Sequence, residues 1–210
     1  MPMNGALWVT KHTGKMTGID SISTSSMHNP NCIVRREVEN SICSKCYAFT
    51  YLKMRNNLKE HLVENTNILS SRMLREIEIP MVRSKFFRFE SFGDLCNTTH
   101  LKNYLLICEA NPDTTFSLYT KNVYILDLVF NVSGHNKPDN LIIVVSSPTL
   151  NKQLDLSDEY KWLVDHIFTV YDKRFISENN VNINCGAKSC ISCLRCYKRD
   201  TDFYINEKLK

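Results

Sequence analysis

Leu141-Ile142-Ile143-Val144-Val145 is an unbroken apolar run, and four of its five residues are β-branched. A strand with one wet face alternates apolar and polar residues. A continuous run of this length suits a strand covered on both faces, as in a parallel sheet whose crossover helices pack against it. Working outward, similar signals return just under thirty residues apart, the length of one strand, turn, helix and turn. Residues 114–120 are β-branched and aromatic. Residues 85–91, Lys-Phe-Phe-Arg-Phe-Glu-Ser, are aromatic-rich and run into a turn at Gly93, while residues 167–171 supply a further strand downstream. Between them, Leu101, Tyr104, Leu105 and Cys108 form the stripe of an amphipathic helix that Asn111-Pro112-Asp113 ends. A short helix is predicted over 123–130, and another over 158–164 with Trp162 and Leu163 turned inward. Residues 19–25 are the expected first strand. The longest helix signal follows it, through Tyr47, Tyr51, Met54, Leu58, Leu62 and Leu69. The pattern predicts an α/β fold: about five parallel strands in repeated βα units, forming an open sheet or a partial (β/α) barrel. Residues 1–178 form this domain, and residues 179–210 form a Cys-rich, metal-binding tail packed on it.

Composition bounds the function. At 210 residues and 43% hydrophobic content, the chain can bury a core without relying on metal. No run approaches the roughly 20 apolar residues that cross a bilayer, so no membrane role is expected. The first fifteen residues lack the basic and long apolar regions of a secretory signal, which points to the cytoplasm. There, nine cysteines favour metal ligation or reduced thiols over disulfides. The net charge of +4 is mild. Small basic concentrations at Lys53 and Arg55, Arg72 and Arg75, and Lys198 and Arg199 make a nucleic acid or nucleotide a candidate partner, although such charges are commonly solvated helix faces.

Seven of the nine cysteines fall into two groups. Cys32, Cys43 and Cys46 are spaced C-x10-C-x2-C; Cys185, Cys190, Cys193 and Cys196 are spaced C-x4-C-x2-C-x2-C. Two-residue spacing lets a short loop turn both sulfurs toward one metal ion or cluster. Four C-terminal thiolates would satisfy a structural Zn²⁺, while consecutive C-x2-C-x2-C spacing suits an iron–sulfur cluster somewhat better than a tetrahedral ion. A third layout places one C-terminal cysteine with the first three. Cys96 and Cys108, outside both groups, read as buried small apolar residues. His28 lies within the first loop and reads as an ordinary loop histidine rather than a fourth ligand.

Chemistry in parallel βα folds gathers at the carboxyl ends of the strands. Those ends carry the first cysteine loop, then Glu90, Ser91, Gly93 and Asp94, then Tyr119, Thr120 and Lys121, then Ser146, Ser147 and Pro148, and finally Tyr171, Asp172 and Lys173. Glu90 and Asp94 are a candidate acid–base pair, or helix caps together with Asn97. Lys121 is a candidate for holding a phosphate or carboxylate.

Read in order, Thr13-Gly14-Lys15, Cys43 to Ala48 (C-x2-C-Y-A), Phe87 to Asp94 (F-R-F-E-S-F-G-D), Tyr119-Thr120-Lys121 and the C-terminal cysteines resemble the bacteriophage gene product 88 family across nearly the whole chain. More distantly, the placement resembles radical S-adenosylmethionine (radical SAM) enzymes. That resemblance implies a [4Fe–4S] cluster on Cys32, Cys43 and Cys46, with one iron left open for S-adenosylmethionine. It also implies a cofactor-binding turn at Glu90, Ser91, Gly93 and Asp94, and an electron donor as partner. The usual loop of those enzymes is C-x3-C-x2-C; here Glu39 stands where the first cysteine would be, and the aromatic Tyr47 follows the last cysteine instead of preceding it.

Overall fold

The computed structural model describes residues 7–209. Six strands form one all-parallel sheet in sequential order: β1 (Asp20–Ile22), β2 (Phe86–Phe89), β3 (Thr115–Thr120), β4 (Leu141–Ser146), β5 (His166–Tyr171) and β6 (Tyr204–Lys208). β1 and β6 are the edges and do not pair, so the sheet stays open. The helices are α1 (Pro30–Glu37), α2 (Tyr47–Lys53), α3 (Asn56–Ser71), α4 (Thr98–Ala110), α5 (Val123–Asp127), α6 (Asp158–Lys161), α7 (Lys173–Asn179) and α8 (Cys190–Cys193).

Sequential order means that every crossover steps one place in the same direction. A uniform right-handed preference then puts the crossover helices on one face. The core has that form. Ile22, Phe87, Phe89, Phe116, Leu118, Leu141, Ile143, Val145 and Ile167 project from the strands into one cluster with Leu69 of α3, Leu101, Tyr104, Leu105 and Cys108 of α4, and Ile125 and Leu126 of α5. Leu141 to Val145 are all buried, as their unbroken apolar run requires. Alternate residues Tyr119, Ile142 and Val144 face the other way and pack with Phe168 and Cys196. The second face is therefore covered not by crossover helices but by the chain's ends.

Three sequence expectations change. β6 is an added strand: Tyr-Ile-Asn-Glu-Lys has only Ile205 fully buried, because an edge strand needs little apolar pattern. The long helix expected from Tyr47 to Leu69 is two helices, separated at Met54 and Arg55. Asn56 and Asn57 are weak helix formers that favour such a break, and the apolar rhythm persists because Ala48, Leu52 and Leu62 pack in one cluster with Phe92. The helix expected over 158–164 stops at Lys161. Four residues are too short to present a stripe, so Trp162 is 57% exposed while Leu163 is fully buried.

Candidate functional site

Cys32, Cys43 and Cys46 come from three different elements and line one pocket at the carboxyl ends of the first strands. Asn29 caps α1 by accepting from Asn31 N, and Pro30 follows at the first helical position, where its missing N–H costs nothing. The side chains of Asn29 and Asn31 also donate to the carbonyls of Asp94, Leu95 and Cys96, which fixes Cys32 against the loop after β2. Cys43 lies in a 3₁₀ turn whose Ile42 N–H donates to Pro148 O at 2.9 Å, tying it to the loop after β4. Cys46 begins α2. All three thiols are half-buried. Burial pushes the Cys32 thiol up, the charge of Asp94 adds to the rise, and that of Lys121 opposes it.

The rest of that pocket is mostly cationic and polar, with Arg35, Arg36, Lys121, Ser26 and Asp94 beside Gly93 and the apolar Phe92. Asp94 is held by the chain itself. It accepts from Thr120 Oγ1 at 2.6 Å, from Lys121 N at 3.1 Å and from Leu95 N at 2.8 Å, and it pairs with Arg35 at 3.2 Å. The Lys121 ammonium and the buried Ser26 hydroxyl have no hydrogen-bond or ion-pair partner among the described residues.

Glu90 stands behind this wall. Its carboxylate accepts from Thr24 N and Oγ1 at 3.1 and 3.0 Å and from Tyr104 OH at 2.5 Å, with His100 Nε2 3.3 Å away. His100 Nδ1 accepts from Cys96 N, which leaves the ring proton on Nε2, toward Glu90. Glu90 adopts a positive φ of 61°, a costly conformation for this residue, which these contacts hold in place. Gly93 is required by packing: a Cβ would lie 2.3 Å from Thr24 Oγ1 and 2.6 Å from Thr24 O. Ser91 N donates to Ser23 Oγ, and Ser91 O accepts from Tyr47 OH. Glu90 and Asp94 thus have separate partners and do not form an acid–base pair. The cap of α4 is Asn97, through His100 N.

Cys185, Cys190, Cys193 and Cys196 line a second cavity of about 40 Å³ on the opposite face of the sheet, with Lys15, Met16, Arg88, Tyr119 and Tyr197. The tail is stitched down by Asn184 N and Cys185 N donating to Asn206 O of β6, and by the His166 ring against the carbonyls of Lys198 and Asp202. Donors point at the sulfurs: Tyr119 OH reaches Cys196 Sγ at 2.8 Å, and Lys15 Nζ reaches Cys185 Sγ at 3.3 Å. Arg88 lies 3.8 Å over the Tyr119 ring, and its Nε is buried with no hydrogen-bond partner. Burial pushes the thiols of Cys185, Cys190 and Cys196 up; Lys15, Arg88 and the Tyr119 hydroxyl pull the other way.

The two groups of cysteines stay apart, so the layout that mixes them is not the one formed. Tyr119 lines the second cavity and Lys121 the first pocket, two residues on, about 7 Å along the chain at strand spacing. Among the described residues, no three His, Cys, Asp or Glu side chains are grouped to hold one metal ion. A tetrahedral zinc with Zn–S near 2.3 Å needs sulfurs within about 4 Å of each other. His28 is exposed, lies outside the pocket and contacts Ser25 Oγ. Ser147 Oγ bonds the carbonyls of Thr149 and Lys152, as a turn residue does. Cys108 is fully buried, while Cys96 is half-buried.

Sequence reading missed Arg35, Lys15 and Arg88. Arg88 carried a signal, since it is the one charged residue inside Phe-Phe-Arg-Phe and must therefore face away from the aromatic core. Among the described residues, no helix is long and apolar enough to cross a membrane. A family model described as gene product 88 matches residues 22–201, which include both sets of cysteines. No curated protein and no solved structure matches the chain.

Proposed function

The chain belongs to the gene product 88 family, and we propose that it is an iron–sulfur protein with a reactive three-cysteine site and a second site of four cysteines. The observation that carries this reading is the first pocket: three cysteines beside Arg35, Arg36 and Lys121 at the carboxyl ends of parallel strands, with the Asp94 carboxylate in the same lining already engaged by Arg35, Thr120 and Lys121 N. Three thiolates around a space suit a [4Fe–4S] cluster with one iron left for a small molecule, because each thiolate then takes a separate corner. Cys32, Cys43 and Cys46 would hold such a cluster, which when bound and reduced would supply one electron for reductive cleavage of S-adenosylmethionine. In this protein Gly93 and Lys121 would face that cofactor, Lys121 offering its unpaired ammonium to a carboxylate. Asp94 would orient Arg35 and the pocket wall, and Glu90 and Ser91 would brace the turn from behind.

The second cavity fits a cluster with four cysteine ligands. Such a cluster would have no open ligand position, and the half-buried Lys15 and Arg88 with the sulfur-directed donors suit an anionic inorganic group. Its role in this reading is electron transfer to the first pocket from a donor protein. The test is S-adenosylmethionine added to reduced, anaerobically reconstituted protein. A changed electron paramagnetic resonance spectrum and accumulation of 5′-deoxyadenosine are expected. Their absence, with the cluster verified as present, would remove the radical chemistry.

A further inference from the structure

Three basic concentrations stand out in the sequence, and the structure separates them. Arg72 and Arg75 are both committed to Glu78, at 2.7 Å each, and Arg199 is held by Asp165 and backbone carbonyls. Lys53 and Arg55 have no carboxylate partner among the described residues; instead they lie over aromatic rings. Lys53 Nζ is 4.8 Å from the Phe49 ring, Arg36 stacks on the same ring at 3.2 Å, and Arg55 covers Tyr51 at 4.4 Å. The segment 30–60 holds six Lys and Arg against three Glu, most of the net charge of the whole chain. The same segment exposes apolar Val34, Tyr47 and Met54. Arg36 joins it to the first cysteine pocket, whose lining it shares with the Lys121 ammonium and the Ser26 hydroxyl, 2% exposed, neither of which has a partner among the described residues.

We propose that this α1–α2 face binds single-stranded nucleic acid and presents one nucleotide to the first pocket. Cations held beside aromatic rings offer both halves of what a single strand needs, charge for phosphates and planar surface for unstacked bases. Helices as short as α1 and α2, set around a concave mouth, suit an extruded base better than a duplex groove. Binding to the face stands independently of the cluster; delivery of a nucleotide rests on the pocket being the reactive site.

The experiment is fluorescence anisotropy of a short labelled single strand against the full chain over a range of salt, with metal content measured on the same samples. Binding is expected, weakening with salt. Lys53→Ala with Arg55→Ala should weaken it at least tenfold and lower the salt slope by roughly 1.4, two phosphate contacts at ~0.7 each. Phe49→Leu, which keeps every charge, should cost about tenfold through lost stacking. No binding, an unchanged double variant, or equal competition by duplex and inorganic polyphosphate would overturn the proposal. If binding fails while metal content is normal, only this proposal falls. Normal binding by a metal-free protein would instead remove the reading of the pocket and leave the face.

Discussion

The two cysteine regions differ in what surrounds the sulfurs. The first gathers three thiols beside the Lys121 ammonium and the Ser26 hydroxyl, which have no partner among the described residues. The second gathers four thiols against the sheet, beneath a tail tied to β6, with Tyr119 and Lys15 already donating to two of the sulfurs. In the proposed reading, three ligands beside an unpartnered ammonium would leave a position for a substrate, and four ligands would leave none.

The largest effect that can break this contrast is loss of the second site. Cys190→Ala with Cys193→Ala should remove its metal and destabilise the protein by on the order of 5 kcal/mol. The readouts are a lower melting temperature and new proteolysis between residues 181 and 189, a stretch without helix or strand. An unchanged melting temperature would refute a holding role for that metal. Next, Gly93→Ala should cost roughly 3 kcal/mol in urea unfolding, the upper end for overpacking, because the new methyl meets the Thr24 backbone. Gly186→Ala in the tail, where a Cβ meets nothing within 4 Å, should change stability by less than about 0.5 kcal/mol. Equal effects would mean that the turn after β2 is not packed as described.

Smaller effects sharpen the contrast. Cys43→Ala should abolish the metal of the first pocket with about 1 kcal/mol or less of lost stability, because the open site holds no tail in place. Tyr119→Phe should leave metal content intact and lower the midpoint potential of the second site by roughly tens of millivolts, since it deletes one donor to a ligand sulfur. A potential that does not move would separate that hydroxyl from the metal. Last, burial and then the charge of Arg88 lower the pKa of His12 from 6.5 to about 4. The unfolded chain therefore binds this proton first as the solution is acidified. The stability that His12 contributes is intact above about pH 6.5 and is lost as pH falls toward 4. Urea midpoints should fall more steeply across that window in the native protein than in His12→Gln.

How much of this was legible in the sequence follows from range. The βα repeat could be read because Leu141 to Val145 and the Leu101 to Cys108 stripe carry their pattern within a few residues. The first pocket was half legible: strand-end logic named Gly93, Asp94 and Lys121, and spacing named the cysteines. The remaining residues depend on contacts between distant segments. Arg35 reaches Asp94 only because Asn29 and Asn31 pin α1 to the loop after β2. Lys15 meets Cys185 only because both chain ends cover one face of the sheet. Gly93 reads locally as room for a ligand, whereas its immediate reason is the close approach of Thr24.

The most direct measurement is iron, acid-labile sulfide and zinc content, together with the visible spectrum, on protein purified without oxygen. The account predicts a brown protein with iron and sulfide in equal amounts, enough for two clusters, and broad visible absorption that bleaches on reduction. A colourless protein holding one or two zinc ions and no sulfide would contradict it, leaving a chain whose cysteines fasten loops.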